Sequence, residues 1–264
     1  MNPPASATPT FRTLWPATDP RDLAQLYAPV WIDADSGRHV RVNMIASVDG
    51  GTSRDGTSGA LGGAADHVIF ALLRSFADVV LVGAGTMRAE RYGPAQLDEE
   101  HRAARISRGQ TPVPPIAVIT RSANLDWQSP FFTDAEVRPI VLTVEASCGQ
   151  LFGAHARQQH ATAAAEVVIA GDHEVDLVAG LDALARLGYR DVLVEGGPSI
   201  NAELAALDLI DELCLTVSPL VLGGMSSRIV QGGEAAEGRP AELASIVAAD
   251  GFLFLRYRRG APER

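Results

Sequence analysis

The stretch at residues 64–88, AADHVIFALLRSFADVVLVGAGTMR, carries the pattern on which the fold depends. Its first half puts Ala65, Val68, Ile69, Leu72, Leu73 and Phe76 at i, i+3, i+4, i+7, i+8 and i+11, one apolar stripe of a helix that packs on a sheet. Val79-Val80-Leu81-Val82 follows without polar interruption, as expected of a strand buried on both faces of a parallel sheet. Gly83-Ala84-Gly85 then turns the chain, with Thr86 and Arg88 just beyond.

The alternation continues in both directions from this stretch. Strand-like runs at 40–48, 116–119, 140–144, 166–169 and 192–194 are separated by helical segments. Over 174–188, Leu177, Val178, Leu181, Leu184 and Leu187 form a second stripe that Gly188 stops, and Pro198 suits the first turn of a helix over 198–207. Such alternation implies a largely parallel sheet covered on both faces. After 207, strands over 212–217 and 252–257 are expected as antiparallel additions at one edge. Residues 95–115, with Arg102, Arg105 and Arg108 at three-residue spacing, read as an inserted surface helix and loop. Residues 1–38 read as a partly disordered N-terminal extension, laid on the surface by Trp15, Leu23, Leu26, Tyr27 and Trp31. A single domain over 39–264 follows it.

Composition excludes several classes of function. The 264 residues carry a net charge of −10, the wrong sign for nucleic acid or an anionic membrane surface. All 22 basic residues are arginine, so no Schiff-base, phosphate-loop or Ser-x-x-Lys lysine chemistry is available. Any phosphate must be met by arginine, backbone N–H groups and hydroxyls. Cys148 and Cys214 are isolated, which argues against a disulfide framework or a zinc site and fits a reducing compartment. The N-terminus lacks the basic and apolar regions of a secretory signal, and a cytoplasmic location is expected.

In a parallel sheet, ligands bind beyond the carboxyl ends of the strands. Two of those ends are glycine-rich. Gly83, Gly85, Thr86 and Arg88 form a turn suited to phosphate, although Arg88 stands where a dinucleotide fingerprint has its third glycine. Glu195-Gly196-Gly197-Pro198-Ser199 lets backbone approach a flat ring or diphosphate closely, and its buried carboxylate needs either an arginine partner or a site. Thr120-Arg121-Ser122 ends a third strand with an arginine and no acid, which favours NADP if a dinucleotide binds. Ser47-Val48-Asp49-Gly50-Gly51 opens a long Gly, Ser and Thr loop able to close over a ligand. Asp66, in the first turn of the clearest helix, is either a cap or dipole partner or a site acid.

Taken in order, SVDGG, GAADHVIFALL, DVVLVGAGTMRAERYG, VITRS, VLVEGGPSI and DELCLTVSPLVLGG resemble the reductase domain of the bifunctional riboflavin-biosynthesis deaminase/reductase, and still more its stand-alone actinobacterial pyrimidine reductase relatives. The resemblance implies a dihydrofolate reductase-like fold, a three-layer α/β/α sandwich around a mixed, mostly parallel sheet that binds NADPH. It assigns Gly83, Gly85, Thr86 and Arg88 to the cofactor phosphates, Thr120, Arg121 and Ser122 to the 2′-phosphoadenosine side, and Gly196, Gly197 and Ser199 to the nicotinamide and diphosphate. Asn43, Ser47, Asp49 and Glu195 then border the substrate, with Asp66 where dihydrofolate reductases direct an acid at the pterin. Asp66, or else Glu195, is expected to deliver the catalytic proton. The resemblance also implies a homodimer, for which the apolar strand 212–217, read as an exposed edge, gives a reason. Asn43 replaces the lysine of the bifunctional enzymes, and no deaminase His-x-Glu or Pro-Cys-x-x-Cys motif occurs. The expected function is NADPH-dependent reduction of a C=N bond in a pyrimidine or pterin-like heterocycle. The alternatives are dihydrofolate reduction and a non-catalytic NADP-binding sensor.

Overall fold

A computed structural model describes residues 8–16, 22–30, 37–147, 164–233 and 238–260. Trp31 and Cys148 lie outside the described residues, as does much of the start that the sequence marked as disordered. In chain order the elements are β1 (Arg12–Trp15), α1 (Leu23–Tyr27), β2 (His39–Ser47), α2 (Ala64–Phe76), β3 (Val79–Gly83), α3 (Ala84–Ala89), α4 (Glu99–Ser107), β4 (Ile116–Ile119), α5 (Pro130–Thr133), β5 (Ile140–Thr143), β6 (Glu166–Ile169), α6 (Leu177–Arg186), β7 (Asp191–Val194), α7 (Pro198–Ala206), β8 (Glu212–Ser218), β9 (Ala241–Ala249) and β10 (Phe252–Arg259). The strands form one sheet in the order β1-β9-β10-β8-β2-β7-β3-β4-β5-β6.

The sheet is parallel from β8 to β6, and antiparallel from β8 through β10 and β9 to β1. Every residue of β3, β5 and β7 is buried, because helices cover both faces there. Val80, Val82 and Leu193 face a core built with α2, α3 and α5. Val79, Leu81, Val192 and Val194 face the other way, into a core built with α6 and α7. This is the expected three-layer α/β/α sandwich.

Several expectations are corrected. Residues 212–217 are not at an edge: β8 pairs parallel with β2 and antiparallel with β10, so the antiparallel additions begin only with β10. The reason is α7, which acts as a crossover helix and returns the chain in the direction of β7. The edge argument for a homodimer therefore falls. The unforeseen strand β9 forms a hairpin with β10 through Asp250-Gly251, whose φ angles of 51° and 83° are those that the Asp-Gly turn signal predicts. The N-terminal segment also does more than lie on the surface. β1 extends the sheet, and α1 buries Leu26 and Tyr27, whereas Trp15 stays exposed.

The insertion at 95–115 is not simply a solvated face. Arg105, on α4, is fully buried and donates to the carbonyls of Arg74 (3.1 Å), Ser75 (3.1 Å), Ala77 (2.5 Å) and Thr111 (2.8 Å). It thereby satisfies carbonyls that the end of α2 leaves without helical partners. Burial, with Arg108 nearby, pushes its pKa down to about 10, and it stays charged.

Candidate active site

From β3 the chain moves on to β4, whereas from β7 it crosses to β8 on the other side of β2. The adjacent strands β7 and β3 thus send their connections in opposite directions, and a crevice opens beyond their carboxyl ends. The two glycine turns meet there. The Gly83 N–H donates to the Gly196 carbonyl at 2.9 Å. Gly196 has φ 93°, a conformation that favours glycine, and is joined to Gly197 by a cis peptide bond. A Cβ on Gly197 would lie 2.6 Å from Thr86 Oγ1, so that close approach of α3 to the turn requires glycine. Gly85, in contrast, faces open space.

Beside these turns lies a cavity of about 550 Å³, a size suited to a small ligand. β2 contributes Asn43, Met44 and Ile45; α2 contributes Asp66, His67, Phe70 and Arg74; Gly85, Thr86 and Gly197 bring the two glycine turns into the wall. The loop from Thr52 to Gly62 and the segment from Glu90 to Pro94 complete the lining.

Asp66, Phe70 and Arg74 recur every four residues and so present one face of α2 to the cavity. Asp66 sits so close over the chain at Gly62 that a Cβ there would lie 2.9 Å from its Oδ2. No side chain caps α2 at Gly63; Asp66 stands in the first turn of the helix and also lines the cavity. Burial raises its pKa above the ordinary carboxylate value, against the opposing pull of the Thr216 hydroxyl and of His67.

Glu195 has a different environment. Arg74 donates from Nε to Oε1 at 2.7 Å and from Nη2 to Oε2 at 2.8 Å, while the Tyr92 hydroxyl donates to Oε2 at 2.8 Å. Burial, then the Glu195 charge, pushes the Tyr92 hydroxyl well above its usual pKa, which keeps it a donor. Arg74 also stacks over Phe70, 4.2 Å from the ring centroid. Glu195 is thus a carboxylate fixed by three hydrogen bonds, with acceptor capacity left on Oε1, and of the two expected acids Asp66 has the environment of a proton donor.

Among the other residues singled out in the sequence, Asn43, Gly85, Thr86 and Gly197 line the cavity. Ser47 and Asp49 instead organise a loop. Ser47 Oγ donates to Asp49 at 2.6 Å, and Asp49 accepts from Leu222 N (3.1 Å) and Gly223 N (2.7 Å), contacts that hold its carboxyl down at about 2. Thr120 is buried and accepts from Ala123 N, and Arg121 pairs with Glu174 at 2.6 Å on the surface. Ser122 is exposed, Arg88 reaches towards the Asn124 carbonyl, and Ser199 opens α7. These lie outside the cavity lining. Sequence reasoning missed Arg74, Glu90 and Tyr92, although the four-residue spacing of Asp66, Phe70 and Arg74 on the flank of the apolar stripe was a readable signal for the first.

The model of the RibD C-terminal domain matches residues 38–250. A relative in Archaeoglobus fulgidus, named 2,5-diamino-6-ribosylamino-4(3H)-pyrimidinone 5′-phosphate reductase, is 28% identical over 197 residues, which cover 74% of this chain and 87% of the relative. The crystal structure of a pyrimidine reductase-like protein from Corynebacterium diphtheriae matches with 26% identity and a TM-score of 0.76, covering 85% of this chain and 92% of that one. The riboflavin biosynthesis reductase of Saccharomyces cerevisiae shares the fold at 18% identity, with a TM-score of 0.62 and coverage of 89% and 97%. The match spans the sheet from β2 to β9 together with both glycine turns and the cavity between them, and the chain belongs to the RibD C-terminal domain family.

Proposed function

We propose that this chain is an NADPH-dependent reductase of a ribosylaminopyrimidine phosphate, the substrate class for which its relatives are named. That it is an oxidoreductase follows from the family; the cofactor, the substrate and the residue roles are the proposal. The observation that carries it is the meeting of the two glycine turns beside a cavity that contains one fixed carboxylate and one carboxyl of raised pKa.

The chain's own groups fit a nicotinamide dinucleotide. Gly196 and Gly197 offer bare backbone, Gly83 and Gly85 form the neighbouring turn, and α7 begins at Gly197 with no side-chain cap. Thr86, Arg88 and Ser199 stand round these turns as phosphate partners, with Thr120, Arg121 and Ser122 on the 2′-phosphoadenosine side. When bound, the nicotinamide supplies a hydride. Asp66 delivers a proton to nitrogen as carbon accepts that hydride, so that the C=N bond is reduced to CH–NH. Met44, Ile45 and Phe70 exclude water, and Glu195, anchored by Arg74 and Tyr92, holds donor groups on the substrate. Asn43 borders the substrate beside them.

The domain over 39–264 carries this activity in the cytoplasm; no described helix is long and apolar enough to cross a membrane. Homodimer formation rests on a different surface from the one the sequence suggested. Leu215, Val217, Leu253 and Leu255 share the sheet face opposite Phe254 and remain partly exposed. Sedimentation as a monomer at micromolar concentration would remove the dimer.

Loss of 340 nm absorbance tests the function. NADPH should be consumed with 2,5-diamino-6-ribosylamino-4(3H)-pyrimidinone 5′-phosphate, about tenfold more slowly with NADH, and not with dihydrofolate. Tight NADPH binding without oxidation by any of these acceptors would favour the sensor reading instead.

A further inference from the structure

The residue that follows α3 points its carboxylate across the cavity mouth. Glu90 Oε1 accepts a hydrogen bond from the Ser58 backbone N–H at 2.6 Å. Ser58 belongs to the loop that forms the substrate-side wall together with Thr52, Ser53 and Gly62. At its far end this loop is fastened to another segment: Thr52 N donates to Ser226 Oγ at 3.0 Å, and Thr52 Oγ1 donates to the Ser227 carbonyl at 3.0 Å. Between the two ends, Arg54 and Thr57 exchange backbone hydrogen bonds of 2.9 and 3.1 Å, which makes the span a self-closed turn. Beyond Ser58 the next anchor is Leu61, which is buried and whose carbonyl accepts from Ser218 Oγ at 2.7 Å, so between Thr52 and Leu61 the bond to Glu90 is what ties the loop to α3.

Further back in α3, Thr86 lies in the wall formed by the glycine turns, with its Oγ1 2.6 Å from where a Cβ on Gly197 would stand. The Glu90 N–H donates to the Thr86 carbonyl at 2.9 Å, so one short helix joins the glycine turns to the loop. Arg91 then adopts φ 52°, a left-handed conformation uncommon for a residue with a side chain, and Tyr92 turns inward to donate to Glu195. Residues 90 and 92 thus reach different partners from one turn, Glu90 the loop and Tyr92 the buried carboxylate.

We propose that Glu90 is a positioning residue, holding the substrate-side loop at Ser58 against the cofactor-side helix, so that both walls of the cavity keep one spacing. This rests on the reductase reading, since it makes the loop a substrate wall. Its mechanical part is independent of that reading.

The Ser58 amide tests both parts. In the unliganded protein its hydrogen exchange should be at least about tenfold faster in Glu90→Ala than in the wild type, and close to wild type in Glu90→Gln, whose carboxamide oxygen accepts the same bond. The KM for the pyrimidine phosphate should rise about tenfold in Glu90→Ala, with a smaller change in kcat, and recover in Glu90→Gln. Equal Ser58 exchange in wild type and Glu90→Ala would overturn the proposal, and so would faster exchange with an unchanged KM. If wild-type protein oxidises no NADPH, the reductase reading fails instead, and the exchange comparison alone then decides whether Glu90 holds the loop.

Discussion

Glu212 and Glu195 are both buried and both clasped by arginine, yet they stand at opposite ends of the parallel strands. Glu212 begins β8. It accepts from Arg256 at 2.7 and 2.6 Å and pairs with Arg41 at 2.7 Å, and Arg256 also donates to the Leu26 and Ala28 carbonyls. Burial alone would raise the Glu212 pKa, but the two arginines outweigh it and hold it low. The neighbouring Cys214 thiol is pushed up to about 12 by burial, then by the Glu212 charge, and is inert at neutral pH. This network fastens α1 to the sheet, and none of its residues lines the ligand-sized cavity. Glu195 follows the carboxyl end of β7, where the strands open, and the same carboxylate–arginine contact there lines a ligand-sized space. An arginine-paired buried carboxylate therefore does not mark a site by itself. The end of the strand on which it stands decides what it does.

The sharpest way to break this comparison is Glu212→Gln, which leaves Arg41 and Arg256 buried without an anion. A loss of about 3–5 kcal/mol in urea unfolding is expected, with faster exchange at Tyr27. A loss below about 1 kcal/mol would show that the closed end tolerates unpaired charge.

Asp66→Asn should have the opposite signature. Because folding raises the Asp66 pKa, the ionised carboxyl costs stability that appears as pH climbs from about 3.8 through the raised value. Above that window the variant should be at least as stable as wild type. Its kcat should nonetheless fall about 100-fold or more, with NADPH affinity preserved. In the wild type, kcat should decline as pH rises through the Asp66 pKa, and the variant should lack that limb. A normal pH profile in Asp66→Asn would pass the proton transfer to water.

Tyr92→Phe probes the open network most gently. It removes one donor from Glu195 and leaves the bidentate Arg74 contact, so a stability loss of about 1–2 kcal/mol is expected, with a raised KM for the pyrimidine. If unfolding and KM are both unchanged, Arg74 alone fixes Glu195.

The parallel core was legible because its rule is local. Val79–Val82 is apolar at every position, and the stripe on α2 recurs at helical spacing. The far edge was less so. β9 reads Ala-Glu-Leu-Ala-Ser-Ile-Val-Ala-Ala, where alanine on both faces blurs the alternation, although the Asp250-Gly251 turn signal was present. The site divided similarly. Glu195 could be marked as needing a partner from its strand end alone, but the partner comes from α2, 121 residues away. Nor does the spacing of Arg102, Arg105 and Arg108 say that the middle one reaches inward to carbonyls on another helix. Such pairings depend on tertiary placement, which no local pattern encodes.

The single face of α2 also sets a length. Asp66 and Arg74 are eight positions apart on a straight helix, which at 1.5 Å per residue separates them by about 12 Å. The cavity is therefore graduated, with a carboxyl of raised pKa at one mark and an arginine that clasps a carboxylate at the other. A bare six-membered ring spans only part of that scale, and only a longer molecule can touch both marks at once. Molecular length, as well as the pattern of donors and acceptors, becomes a quantity that this enzyme can measure.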